Sequence, residues 1–118
     1  MSALPIHSPL EITKAVSAHA IALGFTKNLD GNFEFVSPIA SKIEEFFGLN
    51  LVDELTFFAP TGKAGELFEI PVSAQDSQTD RMFLVSVGDQ SGASARAAGA
   101  SVGRKVRGKN TTVFSACV

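Results

Sequence analysis

The clearest pattern in the chain runs from Met82 to Val87, where Met82, Phe83, Leu84, Val85 and Val87 are apolar and only Ser86 is polar. A run without alternation is that of a strand covered on both faces, and it predicts a central place in a sheet. Gly88-Asp89-Gln90-Ser91-Gly92 follows with turn chemistry. A helix then begins in which Ala95, Ala98, Gly99, Val102 and Val106 share one face at about 100° per residue. Side chains this small let a helix lie close against a sheet. Upstream, Ala18 to Thr26 alternates, with His19, Ile21, Leu23 and Phe25 on one side and Ala20, Ala22 and Gly24 on the other, which predicts a strand with a bulky face and a small one. The small face suits a close-packed helix or a ligand, and packing is the preferred reading.

Between these strands, Asn28 to Asn32 reads as a turn, and Ser37-Pro38 as an N-cap followed by proline in the first helical position. The helix is expected over Pro38 to Phe47, with Ile39, Ile43, Phe46 and Phe47 as its apolar stripe, Glu44 and Glu45 outward, and Gly48 as its stop. Asn50 is placed to cap a second short helix carrying Leu51, Leu55 and Phe58. Pro60 to Gly65 reads as a loop, Glu66 to Val72 as an edge strand ending at proline, and Ser73 to Asp80 as a polar linker. Thr111 to Val118 is a β-branched apolar strand after the basic helix. Strand, helix, strand gives a right-handed parallel crossover as the core unit. The expected fold is α/β, a single domain with a mixed sheet flanked by helices. Residues 1–17 are read as an N-terminal extension in which Leu10 to Val16 forms a peripheral strand.

Composition narrows the classes. The chain has 118 residues, is 45% hydrophobic, and holds ten Phe with no Trp or Tyr, which is enough apolar material for a real core and not the profile of a disordered chain. No eighteen apolar residues run together and the N-terminus lacks the basic and apolar regions of a secretory signal, so a cytoplasmic protein is expected, with no membrane partner. Cys117 is the only cysteine, which rules out an intrachain disulfide, and with His7 and His19 alone there is no Cys/His cluster for a metal. Net charge is −2 but unevenly spread: residues 1–90 hold all twelve acids and five bases, a formal −7, and residues 91–118 hold five bases and no acid, a formal +5. Arg96, Arg104 and Arg107 cluster opposite the small-residue face, where a solvated face with cations near a helix C-terminus is the plain reading. Nucleic-acid binding through this arc, with Lys105 and Lys109, is the alternative, and the lack of interleaved aromatics counts against it.

Candidate chemistry is sparse. Glu44-Glu45 and Asp53-Glu54 are adjacent acids, but consecutive helical positions diverge by about 100° and cannot converge on one substrate atom. His19 sits among apolar neighbours with no partner acid or nucleophile nearby in the pattern and is read as structural. Gly103 to Asn110 approaches GxxxxGK[ST], yet a helix precedes it and Asn110 stands at the hydroxyl position, whereas a phosphate loop runs from strand into helix. Gly88 to Gly92 has the right order for anion binding at a helix N-terminus but lacks GxGxxG. No catalytic, cofactor-binding or metal-ligating residue is assigned.

Two segments at a fixed order and separation carry a resemblance. Gly62-Lys63-Ala64-Gly65-Glu66, then Val72, then Arg81-Met82-Phe83-Leu84-Val85-Ser86-Val87-Gly88, is similar to the N-terminal domain of the leucyl (cytosol) aminopeptidases, the two-metal peptidases of the M17 type. The family also shares the surrounding order: an early strand like Ala18 to Phe25, a helix before the GKxGE segment, a polar spacer, an Ala-rich helix and a strand like Val113 to Val118. The resemblance covers residues 18–118. It implies a macro-domain-like, non-catalytic α/β unit, with the two divalent ions (zinc or manganese) and the catalytic lysine and arginine in a later domain bearing an NTDAEGRL-type motif, which is absent here. Lys63 and Arg81 match the family only as signature positions. The resemblance further implies a domain truncated at its C-terminus, with that catalytic domain and a homohexamer as partners. The macro-like fold also implies an alternative function, a module binding ADP-ribose or a similar nucleotide diphosphate at Gly88 to Gly92.

Overall fold

A strand of eight residues, β1 (Ala20–Lys27), is the axis of the molecule, and the computed structural model describes residues 17–75, 77–89, 91–106 and 113–116 around it. Along the chain follow β2 (Phe33–Phe35), α1 (Ile39–Phe47), α2 (Leu51–Phe58), β3 (Leu67–Pro71), β4 (Arg81–Ser86), α3 (Gly92–Val106) and β5 (Val113–Ala116). They make one compact α/β domain with a mixed five-stranded sheet. β4 lies parallel to β1, with Ala20 opposite Arg81 and Phe25 opposite Ser86, and β3 closes the other side of β4 in antiparallel pairing from Leu67↔Val85 to Pro71↔Arg81. The expected central strand is therefore central.

The far edge of β1 is divided. Its first half, Ala20 to Leu23, pairs in parallel with β5, and its second half, Phe25 to Lys27, pairs antiparallel with β2. Because β1, β4 and β5 all run in one direction, the segment through α3 is a crossover that lands beyond β1 rather than beside β4.

The alternation in β1 separates two cores. Ile21, Leu23 and Phe25, with Met82 and Leu84 of β4, face α1 and α2 through Ile39, Ile43, Leu51 and Leu55. Ala20 and Ala22, with Phe83, Val85 and Val87, face α3 through Ala98 and Val102. The small face of β1 thus receives a helix, and Phe83 fills the space left beside the alanines. Phe25 meets Phe33 and Phe35 edge-on, with ring centroids 6.0 and 6.5 Å apart, which fastens β2 over the first core.

Local signals account for most boundaries. The Asn28 carboxamide oxygen accepts from Asp30 and Asn32 N–H in the turn after β1. Left-handed Gly48 ends α1 with its N–H on the Glu44 carbonyl, and Asn50 Oδ1 accepts from Asp53 N–H at 3.1 Å to start α2. Phe58 stacks on Phe68 at 4.9 Å, tying α2 to the edge strand.

Several expectations are corrected. α1 begins at Ile39, with Pro38 in the cap position and the Ser37 hydroxyl accepting weakly from Ile39 N–H at 3.4 Å. Phe46 is exposed, because the buried side of α1 is narrower than its apolar stripe and is filled by Ile39, Ala40 and Ile43. On α3 Gly99 faces solvent, and buried Ser101 takes its place beside Ala98 and Val102. Glu66 stands before β3 rather than in it, and Phe33–Phe35 is a strand where none was expected. The expected peripheral strand Leu10 to Val16, and Arg107, Lys109, His7 and Cys117, lie outside the described residues.

Candidate functional site

The loop before β3 and the turn after β4 meet at one end of the sheet, and their backbone groups are joined. Gly65 N–H donates to the Ser86 carbonyl and Ser86 N–H to the Glu66 carbonyl, both at 2.8 Å, which prolongs the β3–β4 ladder into the loop. Ser86, the one polar residue of the central run, is fully buried; its hydroxyl donates to the Gly62 carbonyl at 2.9 Å and accepts from Gly88 N–H at 3.3 Å. A buried hydroxyl needs such partners, and here it staples loop to turn.

Glu66 closes the same loop from inside. Its carboxylate accepts backbone N–H groups from Thr61 at 3.1 Å, Gly62 at 2.7 Å and Lys63 at 3.0 Å. Burial pushes its pKa upward, but the hydrogen bonds from Thr61, Gly62 and Lys63 together outweigh that and hold it below the ordinary value.

The loop is also pinned to α3. Ser101 Oγ donates to the Gly65 carbonyl at 2.7 Å and accepts from Arg104 Nη2 at 3.1 Å. Gly65 has φ +92°, and a Cβ there would stand 3.2 Å from Ser101 Oγ and 3.5 Å from the Ala97 carbonyl oxygen. Gly88, at φ +56°, is crowded likewise by Ala64 and Ser94, each 3.0 Å from an added Cβ. Only glycine combines that backbone with that proximity.

At the N-terminus of α3 the protein supplies its own anion. Asp89 Oδ1 accepts from Ser91 N–H at 2.9 Å and from the Ser94 hydroxyl at 2.8 Å, while Ser91 Oγ accepts from Ser94 N–H at 3.2 Å. These bonds, the Ser91 N–H first and then the Ser94 and Ser91 hydroxyls, lower the Asp89 pKa to about 2. The Gly88 to Gly92 turn therefore presents a carboxylate where a diphosphate would have to sit.

The remaining candidates are dispersed. Lys63 and Arg81 are not brought together: Arg81 opens β4, whereas Lys63 lies in the loop whose Gly62 carbonyl accepts from Ser86 at the other end of that strand. Arg81 is within 3.2 Å of Asp80 and 3.8 Å of Glu69. Lys105 pairs with Glu69 at 3.2 Å, so one cation of the basic arc is engaged with β3. Gly103 lies within α3, so the GxxxxGK-like stretch begins inside a helix. His19 is half-buried just before β1, and its carbonyl accepts from Asp80 N–H at 3.1 Å. Glu44, expected to face outward without a role, accepts from Leu51 N–H at 2.8 Å and so links α1 to α2. Among the described residues, no group of three His, Cys, Asp or Glu side chains is arranged to hold a metal ion. No helix among them is long and apolar enough to cross a membrane.

Fold and site together define a class: a single α/β domain whose best-built feature is a hydrogen-bonded junction of two glycine-containing loops with a helix. No protein-family model matches the chain, and no curated protein matches it.

Proposed function

We propose that this chain is the non-catalytic N-terminal domain of a cytoplasmic leucyl aminopeptidase, serving assembly of the enzyme or access to its active site. One observation supports this above others: the two segments that carry the resemblance, residues 62–66 and 81–88, are not independent loops but form one unit through Gly65, Glu66, Ser86 and Gly88. A signature whose parts interlock is a fold signature, which suits an accessory domain. Hydrolysis by this reading belongs to a later domain, where two divalent ions would polarise the scissile carbonyl and activate water.

The competing module for ADP-ribose meets the Asp89 carboxylate at the expected phosphate position. The deciding experiment is to read the native frame past the codon for Val118. A following domain with an NTDAEGRL-like segment is expected, and a stop codon would overturn the proposal.

A further inference from the structure

α3 and the 62–66 loop enclose a shallow groove of about 370 Å³, rimmed by Lys63 and Arg104 and floored by Ala64, Gly65 and Ala97. Its floor is free of bulky side chains because Gly65 must approach the helix closely, as Ser101 and Ala97 require. The rim is cationic. Unlike Arg81 and Lys105, neither Lys63 nor Arg104 has a carboxylate within ion-pairing distance among the described residues. Arg104 is nevertheless held in place, since one Nη2 N–H donates to Ser101 Oγ and that hydroxyl donates on to the Gly65 carbonyl. Among the described residues the guanidinium is thus oriented by a single bond, which leaves its other donors for a ligand. Glu66 also lines the groove, but its oxygens accept from the loop N–H groups, and its charge leaves the site with a net of one positive.

The geometry points to an oxyanion site, in which a carboxylate or phosphate group sits between the Lys63 ammonium and the Arg104 guanidinium. A planar or tetrahedral oxyanion takes the paired donors of the fork on one side and the point charge on the other. The groove is distinct from the α3 N-terminus, where Asp89 already sits, and it stands whether or not the chain belongs to an aminopeptidase. The source is the carboxylate of an acidic peptide or a phosphate group, and each gives a separate arm of the test.

The test is a ¹H–¹⁵N NMR titration of the whole chain with sodium phosphate and, separately, sodium acetate, with sodium chloride at matched ionic strength as reference. Saturable shifts at the Gly65 and Ser101 amides and at Arg104 Nε–H with either anion bear out the site, and the anion that saturates names the ligand class. The Lys63 ammonium makes no ion pair among the described residues, so Lys63→Ala should keep the fold and weaken binding about threefold, the scale of one exposed charge contact. Arg104→Ala should weaken it further. Shifts that stay linear, that match chloride, that map to the Asp89–Ser94 turn, or that survive Lys63→Ala unchanged would overturn the assignment.

Discussion

Glu66→Gln should destabilise the domain at neutral pH and do so less as the solution is acidified. In the native loop one carboxylate accepts three backbone N–H groups, at 3.1, 2.7 and 3.0 Å. The amide that replaces it offers one oxygen, and its NH₂ faces donors instead of acceptors. A hydrogen bond to a charged group contributes about 1.5–3 kcal/mol. The Thr61 and Lys63 residues are exposed, so their N–H groups can return to water, and the loss falls mainly on half-buried Gly62. Roughly 2 kcal/mol follows, which at about 4 °C per kcal/mol lowers Tm by about 8 °C for a domain of this size. The folded pKa of Glu66 lies below its ordinary value of 4.5, so the stabilisation is complete above 4.5 and is lost as pH falls through the depressed value. Urea denaturation of wild type and variant, followed by far-UV circular dichroism across that range, reads the difference. Equal midpoints at neutral pH, or a gap that does not narrow in acid, would refute the role given to the carboxylate and leave Ser86 as the closure of the loop.

Two glycines should respond oppositely to alanine. Gly65→Ala places a Cβ 3.2 Å from Ser101 Oγ at φ +92° and should cost about 2 kcal/mol, whereas Gly99→Ala meets nothing within 4 Å and should stabilise α3 by about 1 kcal/mol, both read from urea midpoints; like signs would discredit the packing described for α3. Ala22→Leu enlarges the small face of β1 under α3 and should destabilise by about 1–3 kcal/mol in the same assay, and an unchanged midpoint would mean the helix does not depend on that face. The Asp89 carboxyl should titrate near 2, so its stabilising contribution is present above 3.8 and lost between 3.8 and 2; a ¹³C NMR titration giving 3.8 or higher would remove the Ser91 and Ser94 hydrogen bonds from the account.

How much of this was legible depends on whether the signal was periodic. The two faces of β1 could be read from alternation of Ala and bulky residues, and the central position of β4 from its unbroken run, because burial imposes both patterns directly. Asn50 and Gly48 announced the joint between α1 and α2 by chemistry that acts over three or four residues. β2 gave no such signal, being three residues long, although the turn ahead of it and the Phe33–Phe35 alternation form a hairpin pattern that could have found it. The roles of Glu66, Glu44 and Ser101 were out of reach because each carboxylate or hydroxyl serves a backbone group whose position is set by tertiary contacts. The same holds for the junction of residues 62–66 with 81–88. Its segments were visible, but their hydrogen bonding to each other was not.

The divided edge of β1 bears on how the chain is made in the cell. As it leaves the ribosome, the second half of β1 finds β2 within one hairpin, while Ala20 to Leu23 must await Val113–Ala116, which emerges only after β4 and α3. During that interval an apolar strand with unmet backbone groups is a template on which neighbouring nascent chains can nucleate aggregates. Recovery of soluble protein should therefore depend on synthesis temperature and on chaperones that shield this edge until β5 arrives.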